Sequence, residues 1–510
     1  MESILARDPQ DVAARIELSD IVYRQGHPRA SVEALQQAAR HLPRNAPLII
    51  QLVQRLIVRG DTPTARACLD FLAQAPDPPA ELLLIQARMR WLLGEISLAS
   101  DMSSRAAKLG LPSPDDHVFH AMLLKFSGRI DEAEAILERC MQRWPDAGQP
   151  LAAWVQLRRQ RPDSQRLDAL LRLQHQQPRG KDAFAATIER AEVLHAVFKT
   201  RDDLGQHDEA WPALLECNAL MHGLLPHDAQ AESTVTDAFI RASRAMDSLE
   251  PAPVSGQQEP LPIFILGMPR SGTTLLDRML SNHTEVESAG EILDFWRQLH
   301  LAADVPQEGL ASTLELLERA PRIDFHDLGQ RYLQQTQWRA GKHRFFIDKT
   351  PINVRMVPFI RRALPRSPIL HLVRDPMDVC FSNFKAMFGN ASSYSYDMQS
   401  LAHHYAEYLR ITGHWRSELP GAMLDVNYED LVRDPETGMR RILDHCGLEM
   451  QEACLRPERN AAPVSTPSSV QVREPIHTRN IGQWQDYADK LEPLRQLLQR
   501  RSLIQATDNP

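Results

Sequence analysis

Arg270 lies in a glycine-flanked loop of the kind that binds phosphate groups. Residues 267–274 read G-M-P-R-S-G-T-T, which has the spacing of a nucleotide-binding loop but places Thr273 where the phosphate-binding lysine is expected. Backbone N–H groups of residues 268–274, together with the start of the following helix, still form an anion cradle. A planar guanidinium suits a tetrahedral oxyanion. The loop therefore predicts a ligand that carries one terminal oxyanion group beyond its 5′-phosphate and that is bound without the usual lysine.

Other side chains with chemical potential follow at intervals along the second half. Glu291 follows a polar stretch and a glycine, as expected of a carboxylate that faces a cleft and takes up a proton. Arg374 and Ser382 are eight residues apart, and an arginine and a hydroxyl can converge on one phosphate. Each has an ordinary alternative, which is a glutamate at a helix N-terminus for Glu291 and a capping pair with Asp375 for Arg374.

The elements that must position these residues alternate between strands and helices. Short apolar runs suited to buried parallel strands are each followed by a helical pattern, and such alternation favours an α/β fold with a parallel sheet. The runs are PIFILG (262–267), RFFID (344–348), PILHLV (368–373) and AMLDV (422–426), and the later helices are predicted to start at Pro351, Pro376 and Asp430.

The first half of the chain is predicted to be a helical repeat array. Gly26, Gly60, Gly94 and Gly128 recur every 34 residues, and a small residue follows each after five positions. Prolines close the units at Pro43, Pro76, Pro112 and Pro145. The pattern resembles the tetratricopeptide repeat, most clearly at 126–147, with a glycine in the turn between the two helices of each unit. Its concave face would bind a protein or peptide, and the alternative is a scaffold or an arm that forms a homodimer.

The domain boundaries are expected where the composition changes. Residues 1–246 are assigned to the repeat domain, with a further unit at 202–220. The stretch 247–262 has four prolines and no apolar periodicity, and residues 247–261 are assigned to a linker. Residues 262–505 are assigned to the α/β domain. A chain of 510 residues is long enough for two such domains.

Composition excludes several classes of function. A net charge of −8 argues against a protein that coats nucleic acid, so any anion site must be a local pocket. No run of about 18 apolar residues and no signal-peptide pattern occurs, which predicts a cytoplasmic protein without a membrane span. The six cysteines lack metal-ligand spacing and are expected to be buried free thiols, and no metal site is expected.

The loop and its surroundings resemble a known family. Residues 262–292, PIFILGMPRSGTTLLDRMLSNHTEVESAGEI, are similar to the 5′-phosphosulfate loop of sulfotransferases that use 3′-phosphoadenosine 5′-phosphosulfate (PAPS), and more narrowly to the protein-tyrosine sulfotransferase branch. The resemblance covers about residues 260–500. It implies a TPR-like α-solenoid followed by a P-loop-type α/β sulfotransferase domain with a parallel sheet. It also implies a set of PAPS-binding residues: Arg270, Ser271, Gly272, Thr273, Thr274, Arg374, Ser382, Tyr428, Ser468, Gln471, Val472 and Arg473.

The resemblance also implies catalytic roles. Glu291 would be the base, Lys349 would stabilise the leaving phosphate, and Arg270 would bind the sulfonate oxygens, with no metal required. Lys349 has the ordinary alternative of a surface lysine at a strand end. The sequence departs from the family at Gln483, where relatives carry a basic residue before a tryptophan. That phosphate contact is either lost or supplied by Arg479.

Three functions remain open at this stage. The leading one is sulfuryl transfer to a hydroxyl, with a tyrosine on a protein or peptide held by the repeats as the first acceptor, and a glycan, lipid or small molecule as alternatives. A P-loop kinase or nucleotide hydrolase is disfavoured by Thr273. An adaptor with a vestigial nucleotide domain is disfavoured because the whole set of chemical residues is retained.

Overall fold

The N-terminal region is entirely helical, as the sequence predicts. The computed structural model describes residues 2–175, 182–247, 249–253, 259–466 and 469–505. The helices of this region are α1 (Glu2–Arg7), α2 (Val12–Arg24), α3 (Pro28–Ala39), α4 (Ala46–Arg59), α5 (Thr62–Leu72), α6 (Ala80–Leu92), α7 (Ile96–Leu109), α8 (Pro114–Phe126), α9 (Ile130–Arg143), α10 (Gly148–Val155), α11 (Leu167–Leu173), α12 (Ala183–Asp203), α13 (His207–Leu224) and α14 (Ala229–Ala245).

Glycines form the turns between the paired helices. The four glycines spaced by 34 residues connect α2 to α3, α4 to α5, α6 to α7 and α8 to α9, and Gly205 connects α12 to α13. All five have φ between +74° and +90°. This left-handed conformation costs an L side chain about 1–2 kcal/mol, which explains why glycine recurs there. The expectation that the repeated glycine lies in the turn of each hairpin is confirmed.

The second half is built on one parallel five-stranded sheet. Its strands are β1 (Leu261–Gly267), β2 (Val286–Ser288), β3 (Phe345–Asp348), β4 (Ile369–Val373) and β5 (Leu424–Asn427). The strand order is β2-β3-β1-β4-β5, and every neighbouring pair is parallel. Strand β1 is buried along its entire length, as its continuous apolar run predicts. Because the chain leaves β1 first to one side and then to the other, the carboxyl end of β1 is a switch point, where such sheets bind ligands.

Helices cover the faces of this sheet. The helices of this half are α15 (Thr273–Leu280), α16 (Asp294–Ala303), α17 (Gly309–Arg319), α18 (Phe325–Thr336), α19 (Val357–Ala363), α20 (Pro376–Phe384), α21 (Met398–Glu418), α22 (Tyr428–Arg433), α23 (Pro435–Cys446) and α24 (Ala488–Arg500). Two starts differ from the sequence prediction. The segment from Pro351 begins as a 3₁₀ helix that ends at Met356, and the helix expected at Asp430 already begins at Tyr428.

The repeats pack directly onto the α/β domain. One hydrophobic cluster contains Leu137 and Phe198 from the repeats as well as Phe264 of β1 and Phe359 of α19. Hydrogen bonds cross the same boundary, since the Gln298 amide donates to the Gly60 carbonyl (2.8 Å). The interval between α14 and β1, where the linker is expected, also makes a contact through the Ala252 N–H, which donates to the Arg362 carbonyl (2.7 Å). The helical region is therefore continuous with the core of the sheet domain.

Within the described ranges, no helix is both long enough and apolar enough to cross a bilayer.

We expect Gly60→Ala to destabilise the protein more than Gly26→Ala does. Both glycines have positive φ, so both substitutions carry the backbone cost of about 1–2 kcal/mol. A Cβ at Gly60 would also lie 2.9 Å from the Arg297 Cβ on α16, whereas a Cβ at Gly26 meets nothing within 4 Å. Overpacking should add roughly 1–3 kcal/mol at Gly60. Urea unfolding of both variants measures this difference, and equal losses would show that the turn does not press on α16.

Candidate active site

The loop between β1 and α15 is held in an unusual backbone conformation. Arg270 has φ +67°, which is uncommon for a residue with a side chain and is typical of functional sites. Gly267 has φ +147°, and a Cβ there would lie 2.7 Å from the Leu372 carbonyl oxygen of the neighbouring strand. A Cβ on Gly272 would overlap the Tyr428 ring. The two glycines are therefore required by close approach, and they turn Arg270 towards the next strand.

This loop forms one wall of a cleft that encloses about 780 Å³, including space open to solvent. The ends of β4 and β5 and the segment 471–483 form the other walls. Nine of the predicted PAPS-binding residues line the cleft: Arg270, Gly272, Thr273, Thr274, Arg374, Ser382, Tyr428, Gln471 and Val472.

Three of the predicted binding residues are not among those that line the cleft. Ser271 is buried below the loop, and its hydroxyl has no hydrogen-bond partner among the described residues. Arg473 points away from the cleft towards the repeats, where it packs against Gly128 and donates to the Phe126 carbonyl (2.8 Å). Ser468 lies outside the described residues. Arg473 thus has a structural partner that is 347 residues away in the chain, which no local pattern indicates.

The walls of the cleft bring positive charges close together. The Arg270 Nε donates to the Ser382 hydroxyl (3.3 Å), and Arg374 donates to the Arg270 carbonyl (2.9 Å) and lies over the Tyr428 ring. Burial and, after it, the charge of Arg374 lower the pKa of Arg270 to about 10. Burial also lowers the pKa of Lys385, and the charges of Arg270 and Arg374 act in the same direction. Cations that are buried beside one another favour the binding of an anion.

Lys385 is a site residue that the sequence did not single out. It follows Ser382 by about one helical turn at the end of α20, lines the cleft and donates to the Gln483 side-chain oxygen (3.2 Å). Arg479, by contrast, pairs with Glu474 and is not among the lining residues. Lys385 therefore places a cation beside Gln483, the position at which relatives carry a basic residue. Its helical spacing from Ser382 was the only feature of the sequence that could have indicated that Lys385 belongs to the site.

Glu291 and Lys349 form an ion pair near the other side of the loop. The Lys349 ammonium donates to the Glu291 carboxylate, and the main-chain N–H of Lys349 donates to the Gly290 carbonyl (2.9 Å). Lys349 is 1% exposed, whereas the Glu291 side chain is 46% exposed. The pair is positioned by the ends of β2 and β3, and β3 lies next to β1. The sheet therefore brings this pair to one side of the loop and Arg374 with Ser382 to the other.

A buried carboxyl group anchors the strand end that carries Lys349. Asp348 is completely buried and receives hydrogen bonds from the Tyr332 hydroxyl (2.8 Å) and the Asn353 amide (3.1 Å). Burial raises the pKa of Asp348 to about 7, although these hydrogen bonds act in the opposite direction. This carboxyl group fixes the turn from β3 into the following 3₁₀ helix.

Three histidines of the α/β domain have structural partners. His371 lies between Asp425 (2.7 Å) and the Tyr408 hydroxyl (2.6 Å), and His404 contacts Glu232 (2.6 Å). His283 contacts the Glu449 carbonyl oxygen (3.0 Å). In the described part of the chain, no group of three or more His, Cys, Asp or Glu residues is arranged as a metal site. The six cysteines are buried free thiols, as predicted.

Part of the second half of the chain matches a known protein family. Residues 262–452 match the model of the sulfotransferase family. A protein of Aquifex aeolicus without an assigned function is 29% identical over 318 residues, which are 60% of this chain and 41% of that protein. The protein-tyrosine sulfotransferase of Drosophila melanogaster is 28% identical over 237 residues, 44% of this chain and 46% of that protein. This chain thus spans less than half the length of both relatives.

The name of a bacterial relative gives a different type of acceptor. The omega-hydroxy-beta-dihydromenaquinone-9 sulfotransferase Stf3 of Mycobacterium tuberculosis is 27% identical over 245 residues, which are 37% of this chain and 63% of that protein.

We expect Asp348→Asn to change how stability depends on pH. Between pH of about 4 and 7 the folded protein holds a proton on Asp348 that the unfolded chain releases, because the pKa of Asp348 is about 7 in the fold and 3.8 in the unfolded reference. The free energy of unfolding therefore falls as pH rises, by at most about 1.4 kcal/mol per unit from this group. Urea unfolding at pH 4.5, 5.5 and 6.5 should give a shallower fall for the variant than for the wild type. Parallel curves would show that Asp348 titrates normally.

Proposed function

We propose that this chain, which carries a sulfotransferase-family domain over residues 262–452, transfers a sulfuryl group from PAPS to an acceptor hydroxyl. The main support for this proposal is that a cluster of cations and an ion pair lie on opposite sides of one glycine loop. On one side, Arg270, Arg374 and Lys385 gather around a cleft, and on the other side Glu291 pairs with Lys349. The first arrangement suits a nucleotide with several anionic groups, and the second suits proton removal beside a stabilised leaving group.

The cleft residues divide the work of holding the donor. Arg374, Ser382 and Lys385 would hold the 3′-phosphate, because an arginine, a hydroxyl and an ammonium on adjoining elements give charge and direction together. The backbone of residues 270–274 and the start of α15 would hold the 5′-phosphosulfate. Tyr428, which packs against Gly272 and under Arg374, offers an aromatic face beside the loop.

Two residues carry the chemistry of transfer. Glu291 would take the proton from the acceptor hydroxyl while the acceptor oxygen forms its bond to sulfur. The bond between sulfur and the phosphate oxygen breaks, and Lys349 would stabilise the charge that develops on that oxygen. Glu291 is half exposed, which suits a glutamate that meets an incoming acceptor, and the buried Lys349 holds its carboxylate in place.

We infer that the acceptor is a phenolic hydroxyl, with a tyrosine on a protein or peptide as the first candidate. Leu293 and Ile352, which closely follow Glu291 and Lys349 in the chain, are large apolar side chains that are 48% and 51% exposed. Their segments are joined, since Thr350 exchanges hydrogen bonds with the backbone of Ile292 (2.9 and 2.7 Å). An aromatic ring could pack against these two exposed apolar side chains, whereas a sugar would leave them without apolar partners. The name of the Drosophila relative supports the same acceptor.

The repeats stand close enough to the base to take part in acceptor binding. The Gly94 turn lies against Ala289, since a Cβ on Gly94 would be 3.8 Å from the Ala289 carbonyl oxygen, two residues before Glu291. Leu92, at the end of α6 beside that turn, is exposed. A peptide that reached Glu291 along this side would therefore meet the third hairpin. The homodimer and the cytoplasmic location stay predictions from the sequence.

A lipid alcohol is the second candidate acceptor. The same apolar rim of Leu293 and Ile352 would accommodate an alkyl or isoprenoid chain, and the mycobacterial relative is named for a menaquinone derivative. A nucleotide kinase or hydrolase is less well supported, because Asp348, the residue nearest to a metal-binding aspartate in the sequence pattern, is 0% exposed and bound by Tyr332 and Asn353.

We expect Arg270→Ala and Glu291→Gln to separate binding from catalysis. Arg270→Ala should weaken adenosine 3′,5′-bisphosphate roughly 10- to 100-fold, the value of a hydrogen bond to a charged group, and should abolish turnover. Glu291→Gln should lower turnover by about 10²–10⁴-fold and leave bisphosphate affinity nearly unchanged. Calorimetry measures binding, and transfer of ³⁵S from labelled PAPS measures turnover.

The acceptor panel for that assay contains tyrosine peptides, simple phenols, isoprenoid alcohols and hexoses. Phenolic acceptors should be preferred, and a preference for isoprenoid alcohols would select the second candidate. Binding of ATP only with Mg²⁺, without binding of the bisphosphate, would refute the sulfotransferase function. A normal rate for Glu291→Gln would refute its role as the base.

We expect Lys385→Gln to weaken bisphosphate binding about 10-fold, because one charge-assisted contact is lost. The matched control is Arg479→Gln, which removes a cation from the same segment of the protein surface but outside the cleft. The control should change the dissociation constant less than about two-fold, and only Lys385→Gln should reduce the dependence of binding on salt. Equal effects of the two substitutions would show that Lys385 has no direct contact with the ligand.

A further inference from the structure

The end of α20 carries two of the residues that would hold the 3′-phosphate. Ser382 lies in the last turn of this helix, Lys385 directly follows the helix, and both line the cleft. The last carbonyl groups of a helix have no partner within the helix. Because a buried carbonyl group without a partner is costly, this helix end depends on donors from other elements.

Two side chains of the repeats supply such donors. The Asn218 amide on α13 donates to the Phe384 carbonyl (3.0 Å), and the His195 Nε2 atom on α12 donates to the Lys385 carbonyl (3.0 Å). The ring of Trp211, also on α13, packs against the Phe384 ring with the two centroids 5.8 Å apart. The hairpin of α12 and α13 therefore contacts the end of α20 through polar and apolar groups.

The partners of His195 fix the positions of its ring protons. The Lys385 carbonyl can only accept a hydrogen bond, so the Nε2 atom must carry a proton. Burial lowers the pKa of His195 and favours the neutral ring, in which the Nδ1 atom accepts from the Gln156 amide (3.2 Å). The bond to Lys385 is thus an ordinary N–H to carbonyl bond, which a glutamine at position 195 could also donate.

The same hairpin also holds another wall of the cleft. Asp202, near the end of α12, accepts a hydrogen bond from the Tyr487 hydroxyl (2.8 Å). Tyr487 ends the 3₁₀ helix that begins at Gln483, and the Gln483 side-chain oxygen accepts from the Lys385 ammonium (3.2 Å). One repeat hairpin therefore contacts both the segment of Lys385 and the segment of its side-chain partner.

We propose that His195 and Asn218 are positioning residues of the donor site, which fix the end of α20 so that Ser382 and Lys385 meet the 3′-phosphate. This inference rests on the proposed function, and it gives the hairpin of α12 and α13 a part in donor binding. Hydrogen bonds weaken steeply when their distance or angle departs from the optimum. A displaced helix end would therefore weaken the contacts to the 3′-phosphate more than those of the glycine loop to the 5′-phosphate.

Two nucleotides that differ only in the 3′-phosphate isolate this contact. Adenosine 3′,5′-bisphosphate should bind the wild type about 10- to 100-fold more tightly than adenosine 5′-monophosphate, the value of hydrogen bonds to a charged group. His195→Leu and Asn218→Leu should each lower this ratio of dissociation constants about 5-fold, the value of one neutral hydrogen bond, while the affinity for the monophosphate stays within about two-fold. His195→Gln, which keeps a donor, should restore the ratio. Calorimetry on the full chain measures both constants.

Thr62→Val is the matched control. Thr62 is a buried repeat residue whose hydroxyl donates to the Gln335 carbonyl on α18 (2.8 Å), so this substitution also removes a hydrogen bond between the repeats and the α/β domain. Gln335 is not among the residues that line the cleft, and the control should leave the ratio unchanged. Hydrogen exchange of the peptide that spans residues 380–388 should be faster in the two leucine variants and unchanged in the control.

The results can overturn the inference independently of the proposed function. An unchanged ratio in both leucine variants would refute the inference, although tight bisphosphate binding by the wild type would still support the proposed function. An equal fall of the ratio in Thr62→Val, or no recovery in His195→Gln, would also count against positioning and indicate general destabilisation. A wild type that binds neither nucleotide would refute the proposed function, and unchanged exchange at 380–388 would then refute the hold on α20 as well. If His195→Leu does not fold, the ratio for Asn218→Leu decides.

Discussion

The structure depends on the unfavourable proximity of three cations at the carboxyl edge of the sheet. Arg270, Arg374 and Lys385 come from three separate elements. Burial lowers the pKa of Arg270 and of Lys385, and the charge of Arg374 acts on both in the same direction. The backbone adds strain, since Arg270 is held at φ +67°. Folding must supply the free energy for this arrangement from elsewhere, chiefly from the buried sheet and its helices. An anionic ligand would relieve the repulsion, so stability and ligand binding are linked through the same loop.

The strand order separates these cations from the ion pair of Glu291 and Lys349. Strand β1 is central, and the chain visits β2 and β3 on one side before it places β4 and β5 on the other. Glu291 and Lys349 follow the first two strands, and they neutralise each other. The cations follow β1, β4 and the helix after β4. The buried cations and the Glu291–Lys349 pair therefore lie on opposite halves of one sheet, with the glycine loop between them.

The sequence predicts those parts of the site that are encoded within a short stretch of chain. The glycine loop, Arg374 and Tyr428 lie at strand-to-helix turns, and Ser382 lies on the helix that follows Arg374, so local spacing positions all of them. Four of the five strands were visible as apolar runs. Strand β2 has only three residues, too few to show a period. Lys385 and the direction of Arg473 depend on partners that are distant in the chain, Gln483 and Phe126, and no local pattern encodes such contacts.

The same reasoning explains what the 34-residue period does and does not reveal. It requires a hairpin with a glycine turn in each unit, but it does not say what that turn touches. In the structure three of these turns contact the α/β domain: Gly60 on α16, Gly94 near Ala289 and Gly128 on Arg473. The segment before Glu291 and the segment that forms a wall of the cleft are thus both packed against repeat turns. The hydrophobic core also extends from Leu137 and Phe198 to Phe264, so the proline-rich interval marks a change of architecture within one packed body. The repeats therefore help to set the geometry of the site.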